Sequence, residues 1–419
     1  MFTLELPNNA TKVGFHNPTL LPQLTERIAR DFAPRWQSQW GGKFVLHGAA
    51  PGSNAVHLDG NDYLNLTGHP AIVQAQIDAL RTDAGAVVQS GVFHHNDHPG
   101  RALALSLAHW IGKENGYVCQ SGFAANVGLL QIIANAETPV YLDALAHASL
   151  WEGAHVARAP AYAFRHNDLD HLARLIGTHG PGIVVVDSVY STVGAMCPLA
   201  DMVELIERHG CMIVVDESHS LGTHGPQGAG LCAQLGLSHR VHFITASLAK
   251  AFAGRAGFFT IPNSMYYYML STNNANIFSS SLLPHEIAGL AATMNVIRAS
   301  DDARVRLHAN TRRLRASLLD LGYPIHQGSE QIIALEAGTE SDTMFLRDQL
   351  EEQELFGAIF CAPATSRNRA LVRLTLHAGL TLPELDRIEA AASEIAPIVK
   401  PWEWPIAKRA RAKKRVSNH

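Results

Sequence analysis

From about residue 60 onward, short apolar runs alternate with stretches whose apolar positions recur every three to four residues. That alternation predicts a largely parallel sheet with crossover helices. The clearest unit spans 182–216. GIVVVDS (182–188) reads as a buried strand, and DMVELIERH (201–209) has helical spacing, with Asp201 placed to cap it and Gly210 to end it. CMIVVDES (211–218) supplies the next strand, so the three segments form a βαβ unit. NGYVCQS (115–121), PVYLDA (139–144), VHFITAS (241–247) and AGFFTIP (256–262) are further strand candidates. From about 296, ASDDARVRLHANTRRLRASLLDLG predicts a long charged helix, followed by the strands QIIALEA and ALVRLTL. The expected organisation is an N-terminal arm (1–60), a large α/β domain (61–295), a smaller α+β domain (296–400) and a basic, disordered tail (401–419).

Composition narrows the class. With 47% hydrophobic and 17% charged residues, the chain has ample core for a globular protein. A formal net charge of −4 gives no global drive toward nucleic acid or membrane, and no window approaches the roughly 18 apolar residues of a membrane span. The start, MFTLELPNNATKVGF, lacks the layout of a secretory signal. Five cysteines show no CxxC pair, and several sit in apolar runs, as buried free thiols do; the expectation is a reduced, cytoplasmic protein. The 23 histidines include HHNDH at 94–98, but no HExxH or Cys/His knuckle appears, so these read as polar loop residues and no metal is expected.

The candidate chemistry lies where the strands end. Ligands of doubly wound α/β sheets bind beyond the carboxyl ends of the strands. After NGYVCQ comes SGFAANVGLLQII, where Ser121 and Gly122 open a helix whose N–H groups suit a phosphate. His147 follows PVYLDA, and Ser188 follows GIVVVD. Asp216, Glu217 and His219 follow the next apolar run, and two adjacent carboxylates there call for a cationic partner. Ser247 and Lys250 follow VHFIT. Lys250 is the only lysine between Lys113 and Lys400, although arginines are scattered through that span. Lysine can give up its proton when desolvated and arginine cannot, which points to a need for an amine. Pyridoxal phosphate uses all of these groups: an amine for its aldehyde, a carboxylate for its pyridinium nitrogen, donors for its phosphate and a ring stacked on its face.

DESHSLGTHGP (216–226), followed by TASLAKAFAGRAG (245–257), resembles the signature of the α-oxoamine synthases, fold-type I pyridoxal-phosphate enzymes that condense an acyl-CoA with an amino acid. The resemblance runs from NDYLNLTGHP at 61 to VRLTLHAGLT at 372. Within the family, QSGFAANVGLLQ, HASLWEGA, HGPGIVVVDSVYST and FCAPATS look most like the quorum-sensing autoinducer synthase branch, which makes long-chain α-amino ketones. The resemblance implies that Lys250 holds the cofactor covalently and later moves a proton. It implies that Asp216 pairs with the pyridinium nitrogen, that His219 and Ser188 contact the ring hydroxyl, and that His147 stacks on the ring. Ser121, Gly122, Phe123 and Ser247 would meet or flank the phosphate, and Ser279 and Ser280 would reach the phosphate of a neighbouring subunit in an obligate homodimer. Arg373 would grip the substrate carboxylate, with Asn61 in the same pocket.

The implied activity is an acyltransferase that joins a medium- or long-chain fatty acyl-CoA to an amino acid or S-adenosylmethionine, with decarboxylation. An 8-amino-7-oxononanoate or 2-amino-3-ketobutyrate type synthase is the alternative. One segment departs from the general family: VVQSGVFHHNDHPGR (87–101) stands where typical members carry a glycine-rich stretch with an arginine. That departure argues against glycine, alanine or serine as the amino donor. An aminotransferase, or a non-catalytic regulator using the basic tail, would need features that are weaker in this chain.

Overall fold

The structure, a computed structural model, describes residues 19–82 and 88–409. The described residues up to 47 form a unit of their own. It contains the helix Pro22–Asp31 and a π-helical turn, Arg35–Gln39. Edge-to-face ring contacts link Phe32 to Trp40 and Trp40 to Phe44, with centroids 5.6 and 5.8 Å apart.

The unit from Gly48 onward holds two sheets built from eleven strands. In chain order these are β1 (Val56–Leu58), β2 (Asn115–Cys119), β3 (Val140–Asp143), β4 (Ala161–Phe164), β5 (Ile183–Asp187), β6 (Met212–Asp216), β7 (Phe243–Ser247), β8 (Gly257–Ile261), β9 (Ile332–Gly338), β10 (Leu355–Phe360) and β11 (Ala370–Thr375). The seven-stranded sheet has the order β2-β8-β7-β6-β5-β3-β4, and the four-stranded sheet the order β1-β10-β11-β9. This is the mostly parallel sheet that the apolar alternation predicts, in the fold-type I architecture that the family resemblance implies.

The βαβ unit forms as read. β5 and β6 pair in parallel, with Val185 opposite Val214, joined by the helix Leu199–Arg208. Every residue of β5 is buried, as expected for a strand covered on both faces. Gly210, at φ +63°, follows the helix as a terminator. Asp201 is not the cap: the helix begins at Leu199 after Pro198, and Asp201 lies inside its first turn, where its charge meets the helix dipole instead.

β8 is the one strand of the large sheet that runs against its neighbours, antiparallel to both β2 and β7. β2, β3, β5, β6 and β7 therefore share one direction, and their carboxyl ends open on one edge. Gly257 allows β8 to lie close under that edge, because a Cβ there would meet the Ser121 carbonyl oxygen at 2.0 Å, which no side chain tolerates.

The long charged helix spans Asp301–Asp320. The strand pairing of β1 with β10 was not anticipated, since VHL is too short to show a period. Residues 410–419 of the basic tail lie outside the described residues. Cys119, Cys197, Cys211 and Cys232 are buried free thiols, and Cys361 is half-buried.

Candidate active site

Beyond the carboxyl ends of β3, β5, β6 and β7 lies a cavity of about 90 Å³, lined by Gly122, Phe123, Asn126, His147, Asp187, Asp216, Ser218, His219, Ser247 and Lys250. One wall is the start of the helix Gly122–Ile133. Ser121 caps it, its hydroxyl accepting from the Ala124 N–H at 3.1 Å, which leaves the N–H groups of Gly122 and Phe123 without a partner among the described residues. Gly122 packs so tightly on the end of β7 that a Cβ would sit 2.5 Å from the Ser247 Cβ. Two free amides and the positive end of a helix, with the Ser247 hydroxyl beside them, suit an anion with several oxygens.

The back wall is acidic. Asp216 ends β6 and is held from two sides: Asn126 Nδ2 donates to Oδ2 at 2.7 Å, and the Ser218 N–H donates to Oδ1 at 2.8 Å. The other Asn126 hydrogen goes to Ser149 Oγ at 2.8 Å, and Ser149 in turn bonds His147 Nδ1 at 2.7 Å. A single relay of hydrogen bonds thus fixes the carboxylate and the imidazole of His147. Asp187 ends β5, accepts from the His147 N–H at 3.2 Å, and has its carboxyl pushed well above the usual range by burial and then by the nearby Asp216 charge. That shift favours a neutral acid beside a fixed carboxylate.

Lys250 projects into the same cavity, and its side chain makes no hydrogen bond or ion pair among the described residues. Burial, and then the Arg373 charge, lower its pKa, while Asp216 opposes the shift. An amine eased toward its neutral form is the nucleophile and base that the lone lysine suggests. His219 is fully enclosed and held well below its usual pKa by burial, then by Lys250 and Arg373. Its Nδ1 pairs with the Tyr63 hydroxyl at 2.5 Å.

Arg373, on β11, is buried without an acidic partner among the described residues. Nη1 donates to the Ser191 carbonyl at 3.0 Å, Nη2 donates to Asn61 Oδ1 at 3.1 Å, and Nε has no partner. Its guanidinium lies 4.4 Å over the Phe360 ring. A buried cation with neutral neighbours and a spare N–H is poised to take up a carboxylate.

The remaining expected residues lie elsewhere. Ser188 does not face the cavity: its hydroxyl is fully buried, bonds the Asp216 carbonyl at 3.0 Å and Ser220 Oγ at 2.6 Å, and braces β5 against the turn after β6. Ser279 and Ser280 sit against Gln120, whose amide donates to Ser279 Oγ at 2.8 Å and also bonds the Ser280 carbonyl. Neither Asp216 nor Glu217 is in ion-pair contact among the described residues, although Lys250 shares the cavity with Asp216. Glu217 turns away from the cavity and accepts from the Cys232 N–H at 2.6 Å, with its other oxygen unpaired. In HHNDH, His98 caps the helix Pro99–Trp110 and stacks on His94 at 3.5 Å.

Glu217 yields a stability prediction. Burial pushes its carboxyl to about 7, so between about pH 4.5 and 7 the folded chain holds a proton that the unfolded chain has released. Stability therefore falls as pH rises through that window, by about 3 kcal/mol in all. Glu217→Gln keeps an acceptor for Cys232 but cannot ionise. Urea unfolding from pH 5 to 8 should show the variant gaining on the wild type as pH rises, and parallel curves would contradict the assignment.

Asn126, Asp187 and Ser218 complete the cavity, Tyr63 backs His219 from behind it, and none of the four was singled out from the sequence. Only Asn126 left a signal, as a polar residue four positions after Gly122 on a mostly apolar helix.

This sheet and this cavity define a pyridoxal-phosphate transferase of fold type I, and the donor set fits the cofactor: a free amine, a fixed carboxylate and two unpartnered helix amides. Residues 53–391 match the aminotransferase class I and II family. The CAI-1 autoinducer synthase of Vibrio campbellii is 44% identical over 352 residues, covering 84% of this chain and 89% of that protein. The 8-amino-7-oxononanoate synthase of Symbiobacterium thermophilum is 30% identical over 353 residues, covering 82% and 89%. A serine palmitoyltransferase from S. paucimobilis, solved with a bound PLP–myriocin compound, shares the fold with a TM-score of 0.82 at 24% identity, covering 91% of this chain and all of that one. The chain belongs to the aminotransferase class I and II family, as a pyridoxal-phosphate-dependent α-oxoamine synthase that carries out acyl condensation.

Proposed function

We propose that this enzyme condenses a medium- or long-chain fatty acyl-CoA with an amino acid or S-adenosylmethionine, releasing CoA and carbon dioxide, to give an α-amino ketone that serves as a quorum-sensing autoinducer precursor. The observation that carries the reading is the likeness to an autoinducer synthase at 44% identity, against 30% for an 8-amino-7-oxononanoate synthase of equal coverage. Pyridoxal phosphate, bound in the cavity, supplies an electron sink for a carbanion at the substrate α-carbon.

The chain's own groups have distinct tasks in this reading. Lys250 anchors the cofactor and, once freed, takes the α-proton at Nζ. Asp216 holds the proton on the ring nitrogen, positioned by Asn126 and Ser218. His147 and His219, both in the cavity wall, would cover the ring and contact its hydroxyl respectively. The amides of Gly122 and Phe123, with Ser121 and Ser247 beside them, bind the phosphate. Arg373 and Asn61 orient the amino donor's carboxylate, which must be held until it leaves as carbon dioxide. Ser279 and Ser280 serve the phosphate of the second subunit in a homodimer with shared active sites. Their position away from the cavity of their own chain supports that use. The division into arm, large domain, small domain and tail belongs to the same proposal, as does a cytoplasmic location. No helix among the described residues is long and apolar enough to cross a membrane.

Purified enzyme offered a mixture of acetyl-, pimeloyl- and decanoyl-CoA, with several amino donors, should yield the decanoyl-derived amino ketone as the main product by mass spectrometry. Preference for pimeloyl or acetyl groups would transfer the protein to the 8-amino-7-oxononanoate or 2-amino-3-ketobutyrate type.

A further inference from the structure

Outside the cavity, three side chains from distant parts of the chain converge: His224 after β6, His308 on the helix Asp301–Asp320, and Glu330 just before β9. One ligand atom from each lies within 4.8 Å of the others. His224 Nε2 is 3.0 Å from Glu330 Oε2, and His308 Nδ1 is 4.0 Å from the same oxygen.

The hydrogen bonds around them decide which atoms carry protons. His308 Nε2 lies 2.9 Å from the Thr223 carbonyl oxygen, which can only accept, so Nε2 carries the hydrogen and the neutral ring presents a lone pair at Nδ1. His224 Nδ1 lies 2.9 Å from Thr223 Oγ1. That hydroxyl has one hydrogen and is within 3.0 Å of the Ser220 carbonyl and 3.2 Å of the His219 carbonyl. With the hydroxyl donating to backbone, His224 Nδ1 donates to Oγ1, so a neutral ring offers its Nε2 lone pair and a protonated ring donates from Nε2 to Glu330 Oε2 at 3.0 Å. Glu330 Oε1 accepts from Ser329 Oγ at 2.9 Å, so that Oε2 is the oxygen that faces the two imidazoles. With both rings neutral, three electron pairs converge on one point, and either a bound cation or a proton on His224 answers them.

We propose that His224 Nε2, His308 Nδ1 and Glu330 Oε2 form a binding site for a first-row divalent ion of the zinc class. Two imidazoles and a carboxylate are a zinc-type donor set. Bonds of about 2.0–2.2 Å in tetrahedral geometry place ligand atoms about 3.4 Å apart, and the observed 3.0 and 4.0 Å separations bracket that value. Both rings also have the outer-shell hydrogen bonds that orient metal-bound histidines. His224 is buried, Glu330 nearly so, and His308 is 28% exposed, which leaves one side open for the ion to enter and for a water ligand. The ion would tie the helix Asp301–Asp320 to the segment that carries His219. Gln331 already donates to the His219 carbonyl at 2.9 Å from the neighbouring position. This site does not depend on the acyl-transfer reading, and its role is positional rather than catalytic.

The test uses cobalt as the probe. Full-length holoenzyme, stripped with chelator, is titrated with Co²⁺ and its visible d–d bands are recorded, with competition by Zn²⁺. One equivalent per chain with intense bands of low coordination number is expected. His308→Ala and Glu330→Gln should lose those bands. Thr223→Val, which keeps all three ligands but loses the bond to His224, should weaken binding about 10- to 100-fold. His94→Ala should bind normally. Should His308→Ala fail to fold, the near-isosteric Glu330→Gln carries the same test. Absence of stoichiometric binding, or binding that survives Glu330→Gln and Thr223→Val unchanged, would overturn the site and leave a protonated histidine as the bridging cation.

Discussion

Lys250→Ala is expected to lower turnover at least about 10³-fold and to remove the visible absorption band of the bound cofactor, while leaving the melting temperature of the apo chain nearly unchanged. Turnover falls because two tasks vanish together: the covalent anchor and the base, the latter alone worth about 10²–10⁴. Stability holds because the lysine side chain makes no hydrogen bond or ion pair among the described residues, and its partial burial carries a desolvation cost that alanine lacks. Absorption spectra and a melting curve on the same sample check both halves. A variant that kept the band and the rate would remove Lys250 from the chemistry.

Asp216→Asn carries the second large effect. The carboxylate accepts one hydrogen bond on each oxygen, from Asn126 Nδ2 and from the Ser218 N–H. An asparagine can satisfy one of these donors with its Oδ1, but its own amide group then faces the other. The substitution therefore costs a buried hydrogen bond as well as the charge. Without that charge nothing in the cavity wall holds a proton on the ring nitrogen, since Asp187 is pushed toward its neutral form. A fall in kcat of about 10²–10⁴-fold is expected, with weakened retention of the cofactor on dialysis. Asn126→Ala, which leaves the charge in place but frees it to move, should fall between the variant and the wild type. Equal rates for Asp216→Asn and wild type would separate this acid from the ring.

The sheet was legible because strands buried on both faces are written as continuous apolar runs, and GIVVVD and CMIVVD leave little choice. Their polar ends were legible for the same reason: a run that stops at Asp or Ser marks the edge of the buried layer. What could not be read were pairings across long stretches of chain. Asn126 reaches Asp216 over 90 positions, and Tyr63 reaches His219 over 156. No period in the sequence encodes either contact. β4 and β1 are four and three residues long, too short for alternation to rise above chance. Two local readings gave way to tertiary context. Asp201 looked like a cap, but Pro198 and Leu199 start the helix earlier, with proline's fixed backbone angle as the entry. Glu217 looked like half of an ion pair, but a backbone N–H and retention of its proton answer its burial instead.

The central claim is that one amine and one acid share a single pyridine-binding cavity. Reduction of the holoenzyme with borohydride, followed by peptide mass mapping, tests it most directly. One pyridoxyl phosphate label per chain, on Lys250, is the predicted result; a label on any other lysine, or none on Lys250 while the enzyme remains active, would contradict it.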